Sequence, residues 1–296
     1  MNYLITHPNS VLKGSINLSG SKSESNRLLI LKKVLGLDLN LVNLSDSNDT
    51  HILSTILNSY ETEGQSEFNV GDAGTAMRFL TAFFAVQTGE YILTGSDRMK
   101  ERPIKDLVEA LRSLGAEINY LEGEGFPPLR INGKKLTGTS ISIDATVSSQ
   151  FLSALLLIAP KFENGLEIHL KGEPVSISYL EMSVQLLRQF GLEIDFMENK
   201  ISVSPVPNCA STQLKEWKIE SDWSSASYWF EMAALSNEAD LTIFGLKENS
   251  LQGDSICLEI YERLGLTCFF EGDLLRILKN KGAVLPEKFA FNFFRE

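Results

Sequence analysis

A repeat of about 75 residues constrains the fold of this chain more than any other feature of its sequence. Three similar segments, LVEALRSLGAEI, SVQLLRQFGLEI and CLEIYERLGLTC, place a glycine at the same point, at Gly115, Gly191 and Gly265. These glycines are 76 and 74 residues apart. Self-similarity at a fixed period indicates that one supersecondary unit is used several times.

The order of elements within each repeat predicts a βαβαββ unit. A polar loop is followed by an apolar helix, a strand, a loop, an amphipathic helix that stops at the glycine, and two short strands. The apolar helix that contains SALLLIA is expected to be buried all round, because it has almost no polar side. We therefore expect the sheets outside and the helices inside. The period is too long for the common solenoids, and no GxGxxG motif indicates a Rossmann fold.

The predicted helix starts share small hydroxyl residues or glycine. They are Ser21-Lys22-Ser23, Gly74-Thr75, Ser148-Ser149 and Ser224-Ser225. Such residues are preferred at helix N-termini, so ordinary capping explains each start taken alone. If the units are related by pseudo-symmetry, however, the N-termini converge, and their dipoles together attract an anion.

Basic residues lie close to these helix starts, at Lys22, Arg27, Arg78, Arg98 and Arg102. Arginine holds a phosphate or a carboxylate through two parallel hydrogen bonds. Arg98 and Arg102 belong to a loop after which we predict an amphipathic helix that begins at Pro103, since proline is tolerated in a first helical turn. An ion-paired surface turn is the alternative for this loop. With the helix starts, the pattern predicts a site for a small, multiply anionic ligand.

Composition excludes several classes of function. A net charge of −11 argues against nonspecific binding of nucleic acid, which needs a basic surface. The chain has 43% apolar residues but no run long enough to span a bilayer and no signal peptide, so a cytoplasmic protein is expected. Three cysteines and three histidines are too few and too scattered for a disulfide framework, a zinc site or a histidine-based triad. Lysine, arginine, serine and carboxylate groups remain for any chemistry.

Four motifs in one order carry a family resemblance. They are SGSKSESNRLLIL (19–31), VGDAGTAMRFL (70–80), RMKERPIKDLVEAL (98–111) and VSSQFLSALLL (147–157). Together they resemble the enolpyruvyl transferase family, and within it the synthases that act on shikimate 3-phosphate. The resemblance covers essentially the whole chain. A sister transferase with another acceptor is the alternative, but the one that acts on UDP-N-acetylglucosamine lacks the SGSKSxSNR and RMKERPI motifs.

The resemblance implies a fold and a reaction. The implied fold is α/β, a two-domain inside-out α/β barrel of repeated βαβαββ units with an incomplete second domain. Residues 19–219 would form the first, complete domain of three units, and residues 1–18 with 220–296 the partial second domain. The implied reaction transfers the enolpyruvyl group of phosphoenolpyruvate to the 5-hydroxyl of shikimate 3-phosphate by addition and elimination, and it releases phosphate. No metal or organic cofactor, no nucleic acid and no membrane is implied, and the full-length protein would be a monomer.

Residues of this chain that match the family motifs acquire expected roles. Those expected to bind shikimate 3-phosphate are Lys22, Ser23, Arg27, Ser148, Ser149, Gln150, Ser176 and Tyr179. Those expected to bind phosphoenolpyruvate are Lys22, Gly74, Thr75, Arg98 and Gln150. Lys22 is also expected to act in catalysis.

The chain departs from the family pattern in two respects. Family members are usually longer, so we expect a C-terminally truncated chain whose base for the 5-hydroxyl and part of whose phosphoenolpyruvate clamp lie beyond Glu296. The competing hypothesis is therefore a fragment that binds shikimate 3-phosphate without turnover. We interpret Glu220, Asp222 and Asp254 as helix caps and surface charges, not as substitutes for the absent groups. Phe79 also stands where many members have proline.

Overall fold

The computed structural model describes residues 10–62, 66–146, 148–205 and 214–282. The chain divides into two compact units. The larger unit is Gly20–Ile219, and the smaller unit consists of Met1–Ser19 and Glu220–Glu296. The larger unit is thus one continuous segment inserted between the two parts of the smaller unit.

The described residues form fourteen strands and nine α-helices. The strands are β1 (Val11–Asn17), β2 (Asn40–Val42), β3 (Glu67–Asn69), β4 (Gly89–Thr94), β5 (Glu117–Tyr120), β6 (Leu129–Gly133), β7 (Ser140–Asp144), β8 (Leu166–Lys171), β9 (Ile194–Met197), β10 (Lys200–Val203), β11 (Glu216–Lys218), β12 (Glu238–Phe244), β13 (Leu266–Glu271) and β14 (Leu274–Lys279). The α-helices are α1 (Lys22–Leu35), α2 (Asn48–Ser59), α3 (Gly74–Ala85), α4 (Asp97–Lys100), α5 (Lys105–Ser113), α6 (Ser149–Ile158), α7 (Ile177–Gln189), α8 (Trp223–Leu235) and α9 (Cys257–Arg263). None of these helices is both long and apolar enough to cross a membrane.

Three four-stranded sheets share one topology. Their strand orders are β1-β12-β14-β13, β3-β4-β6-β5 and β7-β8-β10-β9. In each sheet the first two strands run parallel, and the other two pairs are antiparallel. The same order and the same directions occur three times, as a repeated βαβαββ unit requires. The repeat read from the sequence is confirmed.

The remaining strands of the larger unit form a smaller sheet. β11 pairs with β2 in parallel. In the chain, α1 precedes β2 and α2 follows it. Within the described ranges, two of the three units expected in this domain therefore have four strands, and the third has two. The first copy of the repeat, which begins at Ser21, is also the shortest in sequence.

The helices of the larger unit lie inside and its sheets outside. Every residue of α3 is buried except Thr75, and every residue of α6 is buried except Gln150. In β8 buried and exposed residues alternate, with Leu166, Ile168 and Leu170 facing the core. Helices that are apolar all round need burial on all sides, whereas a sheet can leave one face in water. The inside-out arrangement predicted from the sequence is confirmed.

The repeat glycines end equivalent helices, as predicted. They follow the last residues of α5, α7 and α9, and their φ angles are 101° for Gly115, 83° for Gly191 and 89° for Gly265. Each glycine N–H donates to the carbonyl three residues earlier. A left-handed residue after a helix satisfies carbonyls that otherwise have no partner, and glycine adopts this conformation without steric cost.

The predicted start of the amphipathic helix at Pro103 is wrong. Residues of the expected loop form the short helix α4, whose cap Ser96 accepts a hydrogen bond from Met99 N–H. α5 begins only at Lys105. Its cap Ile104 donates its N–H to the carbonyl of Gly125, 2.9 Å away, which fixes the chain before the helix can begin. Ser96, rather than the proline, starts the helical structure of this segment.

The interpretation of Glu220 as a surface charge is also wrong. Its side chain is 2% exposed, and its carboxylate accepts hydrogen bonds from Trp223 Nε1, Lys247 N–H and Ser250 Oγ. Glu220 therefore organises the core of the smaller unit around Trp223. Asp222, in contrast, caps α8 as predicted, because its carboxylate accepts from Ser225 N–H. Asp254 accepts from the hydroxyl of Ser224.

Candidate anion-binding site

The larger unit contains a cavity of about 360 Å³ at the starts of its buried helices. The residues that line it are Lys22, Ser23, Asn26, Arg27, Thr75, Phe79, Ser148, Ser149, Gln150, Val175, Ser176 and Tyr179. Nine of these were predicted from the sequence as ligand contacts: Lys22, Ser23, Arg27, Thr75, Ser148, Ser149, Gln150, Ser176 and Tyr179. Segments that are far apart in the chain are thus brought to one place.

Helix N-termini form the wall of this cavity. Ser21 caps α1 by accepting from Glu24 N–H, and Ser148 caps α6 by accepting from Gln150 N–H. α3 lacks a side-chain cap of its own, and Asp49 of α2 instead accepts from Thr75 N–H at 3.3 Å. The positive ends of several helix dipoles therefore meet the same space, which favours an anion. Ser224 and Ser225, the fourth predicted start, belong to the smaller unit and do not line this cavity.

Ser176 enters the cavity wall in a strained conformation. Its φ is 54° and its ψ is 52°, which is the left-handed region, and its side chain makes no capping hydrogen bond to α7. A residue other than glycine in this region costs about 1–2 kcal/mol. The surrounding structure must supply that energy, and the conformation places Ser176 at the start of α7 where the cavity lies.

The charges around the cavity are positive. Lys22 and Arg27 are the ionisable cations among the lining residues, and none of those residues is acidic. Lys22 is exposed at the first position of α1, whereas Arg27, one turn further along, is 3% exposed. Burial lowers the pKa of Arg27 to about 10, and no carboxylate in the described parts of the chain pairs with it. A buried charge of this kind is costly unless something compensates it.

Arg27 is fixed by neutral hydrogen-bond acceptors. Its Nε donates to Ser183 Oγ at 2.8 Å, and its Nη2 donates to Ser153 Oγ at 2.9 Å and to the carbonyl of Tyr179 at 3.0 Å. Its Nη1 donates to the carbonyl of Ser23 at 2.9 Å. Four of the five guanidinium N–H groups are thus satisfied. The fifth, on Nη1, has no partner among the residues that the structure describes.

Two aromatic rings flank the same guanidinium. Its Cζ lies 5.6 Å from the ring centre of Phe79 and 5.8 Å from that of Tyr179. Both distances are within the range of cation–π attraction. Phe79, the residue at which this chain departs from the family motif, therefore packs against the central cation of the cavity.

Gly74 and Arg98 do not line this cavity, although the sequence predicted contacts for both. Arg98 is exposed on α4. Gly74 is buried at the first position of α3, where an added Cβ would lie 2.7 Å from Nη2 of Arg102. The guanidinium of Arg102 therefore covers the glycine, and the absence of a side chain at Gly74 makes room for it.

A second buried arginine lies behind this helix start. Arg78 is 6% exposed and donates from Nη1 to the carbonyl of Gly74 at 2.9 Å. Burial, and next the positive charge of Arg102, lower its pKa to about 10, and Asp49 opposes this shift. Two arginines, Arg78 and Arg102, thus lie at the N-terminus of α3, with the carboxylate of Asp49 beside them.

Sequence reasoning missed three polar residues beneath the cavity. Ser153 and Ser183 are fully buried and hold Arg27, yet in the sequence they are only small residues, one within an apolar helix and one within an amphipathic helix. Asn26 lines the cavity, and its Oδ1 accepts from Thr50 Oγ1 at 2.8 Å. Its buried Nδ2 has no partner among the described residues. Asn26 belongs to the SKSESNR motif, which could have identified it, whereas nothing in the sequence distinguishes the two serines from other core residues.

The described parts of the chain contain no cluster of three or more His, Cys, Asp or Glu side chains that could hold a metal ion. The arrangement instead offers a buried and an exposed cation, hydroxyl groups and helix N-termini. Groups of these kinds suit phosphate and carboxylate ligands in proteins, and they can stabilise negative charge that develops during a reaction.

The chain has the fold of enolpyruvyl transferases of known structure, and comparison with known proteins identifies its family. Residues 36–284 match the family described as EPSP synthase (3-phosphoshikimate 1-carboxyvinyltransferase). The chain is 44% identical over 282 residues to the 3-phosphoshikimate 1-carboxyvinyltransferase of Bacteroides fragilis, covering 95% of this chain and 66% of that protein. It is 37% identical over 288 residues to the same enzyme of Vibrio atlanticus, covering 90% and 67%. The chain belongs to the EPSP synthase family.

Solved structures agree on the fold. EPSP synthase from Acinetobacter baumannii matches with a TM-score of 0.73 and 22% identity, over 92% of this chain and 65% of that one. The enolpyruvyl transferase NikO from Streptomyces tendae matches with a TM-score of 0.62 and 15% identity, over 90% and 65%. The chain spans about two thirds of the length of the relatives that it matches, 66% for the Bacteroides fragilis protein.

Proposed function

We propose that this chain binds shikimate 3-phosphate in the cavity of its larger unit and serves the transfer of an enolpyruvyl group from phosphoenolpyruvate to the 5-hydroxyl of that ligand. The chain would thus act in the shikimate pathway, which supplies the aromatic amino acids. Membership of the EPSP synthase family supports this reaction, since two relatives with the enzyme's name are 44% and 37% identical to the chain.

One observation carries the proposal. A guanidinium that is almost fully buried, at Arg27, lines a cavity in a protein of net charge −11, and no carboxylate of the described residues neutralises it. Burial of a charge without a counter-charge costs stability, and a bound anion would offset that cost. A phosphate group of a small ligand meets this need, and the helix starts around the cavity add their N–H groups.

The lining residues would take different roles according to their position and burial. Arg27 is held by four hydrogen bonds and would bind an anionic group of shikimate 3-phosphate, together with Ser23 and the hydroxyls of Ser148 and Ser149. Ser176 and Tyr179 would complete the contacts to this ligand from the start of α7. Rigid donors favour catalysis because they need no reorganisation when charge develops.

Lys22 and Gln150 line the cavity and would contact both substrates. Lys22 has a long, exposed side chain and would follow the phosphate of phosphoenolpyruvate as the tetrahedral intermediate forms and expels it. Thr75, Gly74 and Arg98 would bind phosphoenolpyruvate from the starts of α3 and α4. Proton transfer and the remaining clamp would come from groups that we do not assign to any residue of this chain.

We also propose the partners, the oligomeric state and the location of the protein. We infer small-molecule substrates, no nucleic-acid partner, a monomeric full-length protein and a cytoplasmic location. The acidic composition, with a pI near 4.9, supports the absence of nonspecific nucleic-acid binding.

Calorimetric titration and a phosphate-release assay on the 296-residue chain test the proposal. We expect binding of shikimate 3-phosphate, and Lys22→Ala to reduce any turnover about a hundredfold or more, because it removes a charge-assisted contact in the reacting complex. Lys134→Ala, which removes an exposed, ion-paired lysine outside the cavity, is the matched control. Binding without phosphate release would favour the binding-only alternative, and a chain that does not bind the ligand would contradict the proposal.

A further inference from the structure

We infer that Ser153 and Ser183 are positioning residues for anion binding: they hold the Arg27 guanidinium through neutral acceptors, so that its direction is fixed while its positive charge stays available to the ligand. The inference rests on the proposed function, because it concerns the cavity that would take shikimate 3-phosphate. It adds a role for two residues that do not line the cavity themselves.

The two serines come from different helices and meet at the arginine. Ser153 belongs to α6 and Ser183 to α7, whereas Arg27 belongs to α1, and both serines are 0% exposed. Their Oγ atoms are 3.0 Å apart, and each also lies within hydrogen-bond distance of the Tyr179 carbonyl, at 3.4 Å for Ser153 and 3.0 Å for Ser183. The guanidinium therefore joins three helices through one compact network.

The direction of each hydrogen bond follows from the chemistry of the groups. Guanidinium only donates, so the serine oxygens must accept from Nε and Nη2 of Arg27. Their own protons are then directed to the Tyr179 carbonyl or to the neighbouring hydroxyl. These hydrogen bonds hold the planar guanidinium of Arg27 in one orientation. The remaining N–H on Nη1 is then the donor that a ligand can use.

The neutrality of these acceptors matters for binding. A carboxylate at either serine position would hold the guanidinium equally well, but it would also neutralise the charge inside the protein. Neutral hydroxyls satisfy the N–H groups and leave the charge for an external anion. Because an unneutralised buried charge costs stability, its retention is explained by a ligand that compensates it.

The test measures binding of shikimate 3-phosphate to the full 296-residue chain by calorimetric titration, with thermal unfolding of every variant alongside. Ser183→Ala removes the acceptor for Nε and is expected to weaken binding about tenfold. Ser183→Thr keeps the hydroxyl and is expected to restore binding to within about threefold. Ser183→Asp supplies a carboxylate to Arg27 and is expected to weaken binding about a hundredfold while the protein stays folded. If Ser183 only held Arg27 in place, the carboxylate of Ser183→Asp would hold it equally well, and this variant would bind shikimate 3-phosphate as tightly as the wild type.

Matched controls separate positioning from general damage. Ser25→Ala also removes a buried hydroxyl from the larger unit, on the helix of Arg27, but that hydroxyl accepts from Ser45 N–H and does not contact the guanidinium. It is expected to lower stability without weakening binding. Should Ser183→Asp not fold, Ser183→Ala is compared in the wild-type and the Arg27→Lys background. Lysine lacks the planar fork, so the effect of the serine on binding should be largely lost there.

The outcomes distinguish the two proposals. A wild-type chain that binds, with Ser183→Ala and Ser183→Asp binding equally well, overturns the positioning role and leaves the proposed function intact. An undiminished effect of Ser183→Ala in the Arg27→Lys background also overturns it. A wild-type chain that does not bind shikimate 3-phosphate contradicts the proposed function and the inference together.

Discussion

At the scale of single residues, two features of the cavity lower the stability of the folded protein. Arg27 is buried as a cation without a carboxylate partner, and Ser176 adopts a left-handed backbone conformation. Each lowers the stability of the ligand-free protein, and each points toward the same cavity. Energetic costs that collect in one place are characteristic of functional sites, where the gain appears on binding.

Ser176→Gly tests this account at one position. Glycine adopts a positive φ without steric cost, so we expect the free energy of unfolding to stay equal or to rise by up to ~1 kcal/mol. Affinity for shikimate 3-phosphate should fall about tenfold, because the hydroxyl is lost. Chemical denaturation and calorimetric titration measure the two effects. Asn43→Gly, at another residue with positive φ that lies outside the cavity lining, should leave the affinity unchanged. Unaltered affinity in Ser176→Gly would exclude a ligand contact.

Two described cysteines are expected to be unreactive in the folded protein. Burial raises the pKa of the Cys257 thiol and of the Cys268 thiol to about 12. Only the thiolate is nucleophilic, so at about pH 8 about one molecule in ten thousand carries the reactive form at each site. Iodoacetamide labelling followed by peptide mass analysis should be slow at about pH 8, faster toward pH 10, and complete in urea. Rapid labelling of either residue in the native protein would show that the smaller unit opens readily.

At the scale of elements, the repeated units share the way in which their helices end. α5, α7 and α9 all stop at a glycine in the left-handed region, and each is followed by a strand of the same sheet type. At α5 and α7 the residue after the glycine also donates back into the helix, from Ala116 to Leu111 and from Leu192 to Leu187. These are the two hydrogen bonds of a Schellman motif. One local rule thus fixes the angle between helix and strand in each unit.

Substitution of a repeat glycine measures how much the left-handed cap contributes to the free energy of unfolding. Gly191→Ala places a Cβ in open space, so its whole cost comes from the φ of 83°. We expect the free energy of unfolding to fall by about 1 kcal/mol. Gly123→Ala is the matched control, because its Cβ also meets open space, with the nearest atom 4.0 Å away, and its φ is not positive. That variant should be neutral or slightly more stable. Equal stabilities of the two variants would contradict the role of the left-handed cap.

At the scale of the whole molecule, the larger unit has the properties of an independent domain. It is one continuous segment, Gly20–Ile219, and all residues that line the cavity lie within it. Its two ends are adjacent, since a Cβ at Gly20 would lie 3.2 Å from Cγ2 of Ile219. Adjacent ends and a separate core are features of segments that fold alone.

We therefore expect residues 20–219 to fold without the rest of the chain. The isolated segment should unfold cooperatively and bind shikimate 3-phosphate within about tenfold of the affinity of the 296-residue chain, because the contacts of the cavity are retained. Circular dichroism on heating and calorimetric titration are the measurements, and Arg27→Lys in the same segment is the control for specific binding. A segment that is unfolded or aggregated would show that the larger unit depends on the smaller one.

Much of the architecture follows from local patterns in the sequence. Gly115, Gly191 and Gly265 mark equivalent helix ends because only glycine adopts the left-handed cap freely. The apolar faces of α3 and α6 predict burial because their sequences offer water almost no polar side. The start of α5 could not be read in this way: Pro103 suits a first turn, but a hydrogen bond between Ile104 and Gly125, distant in sequence, delays the helix.

The sequence by itself determined the repeat, the inside-out arrangement and the set of polar residues at the helix starts, because these depend on local periodicity and capping. Only the tertiary structure decided which cations meet in the cavity. Arg27 and Arg98 look equivalent as basic residues near helix starts, yet one is buried at the cavity and the other is exposed on α4. Ser153 and Ser183 look like ordinary core residues until α1, α6 and α7 pack together. The physical reason is that long-range packing, not local preference, sets which groups lose water and which must then find partners.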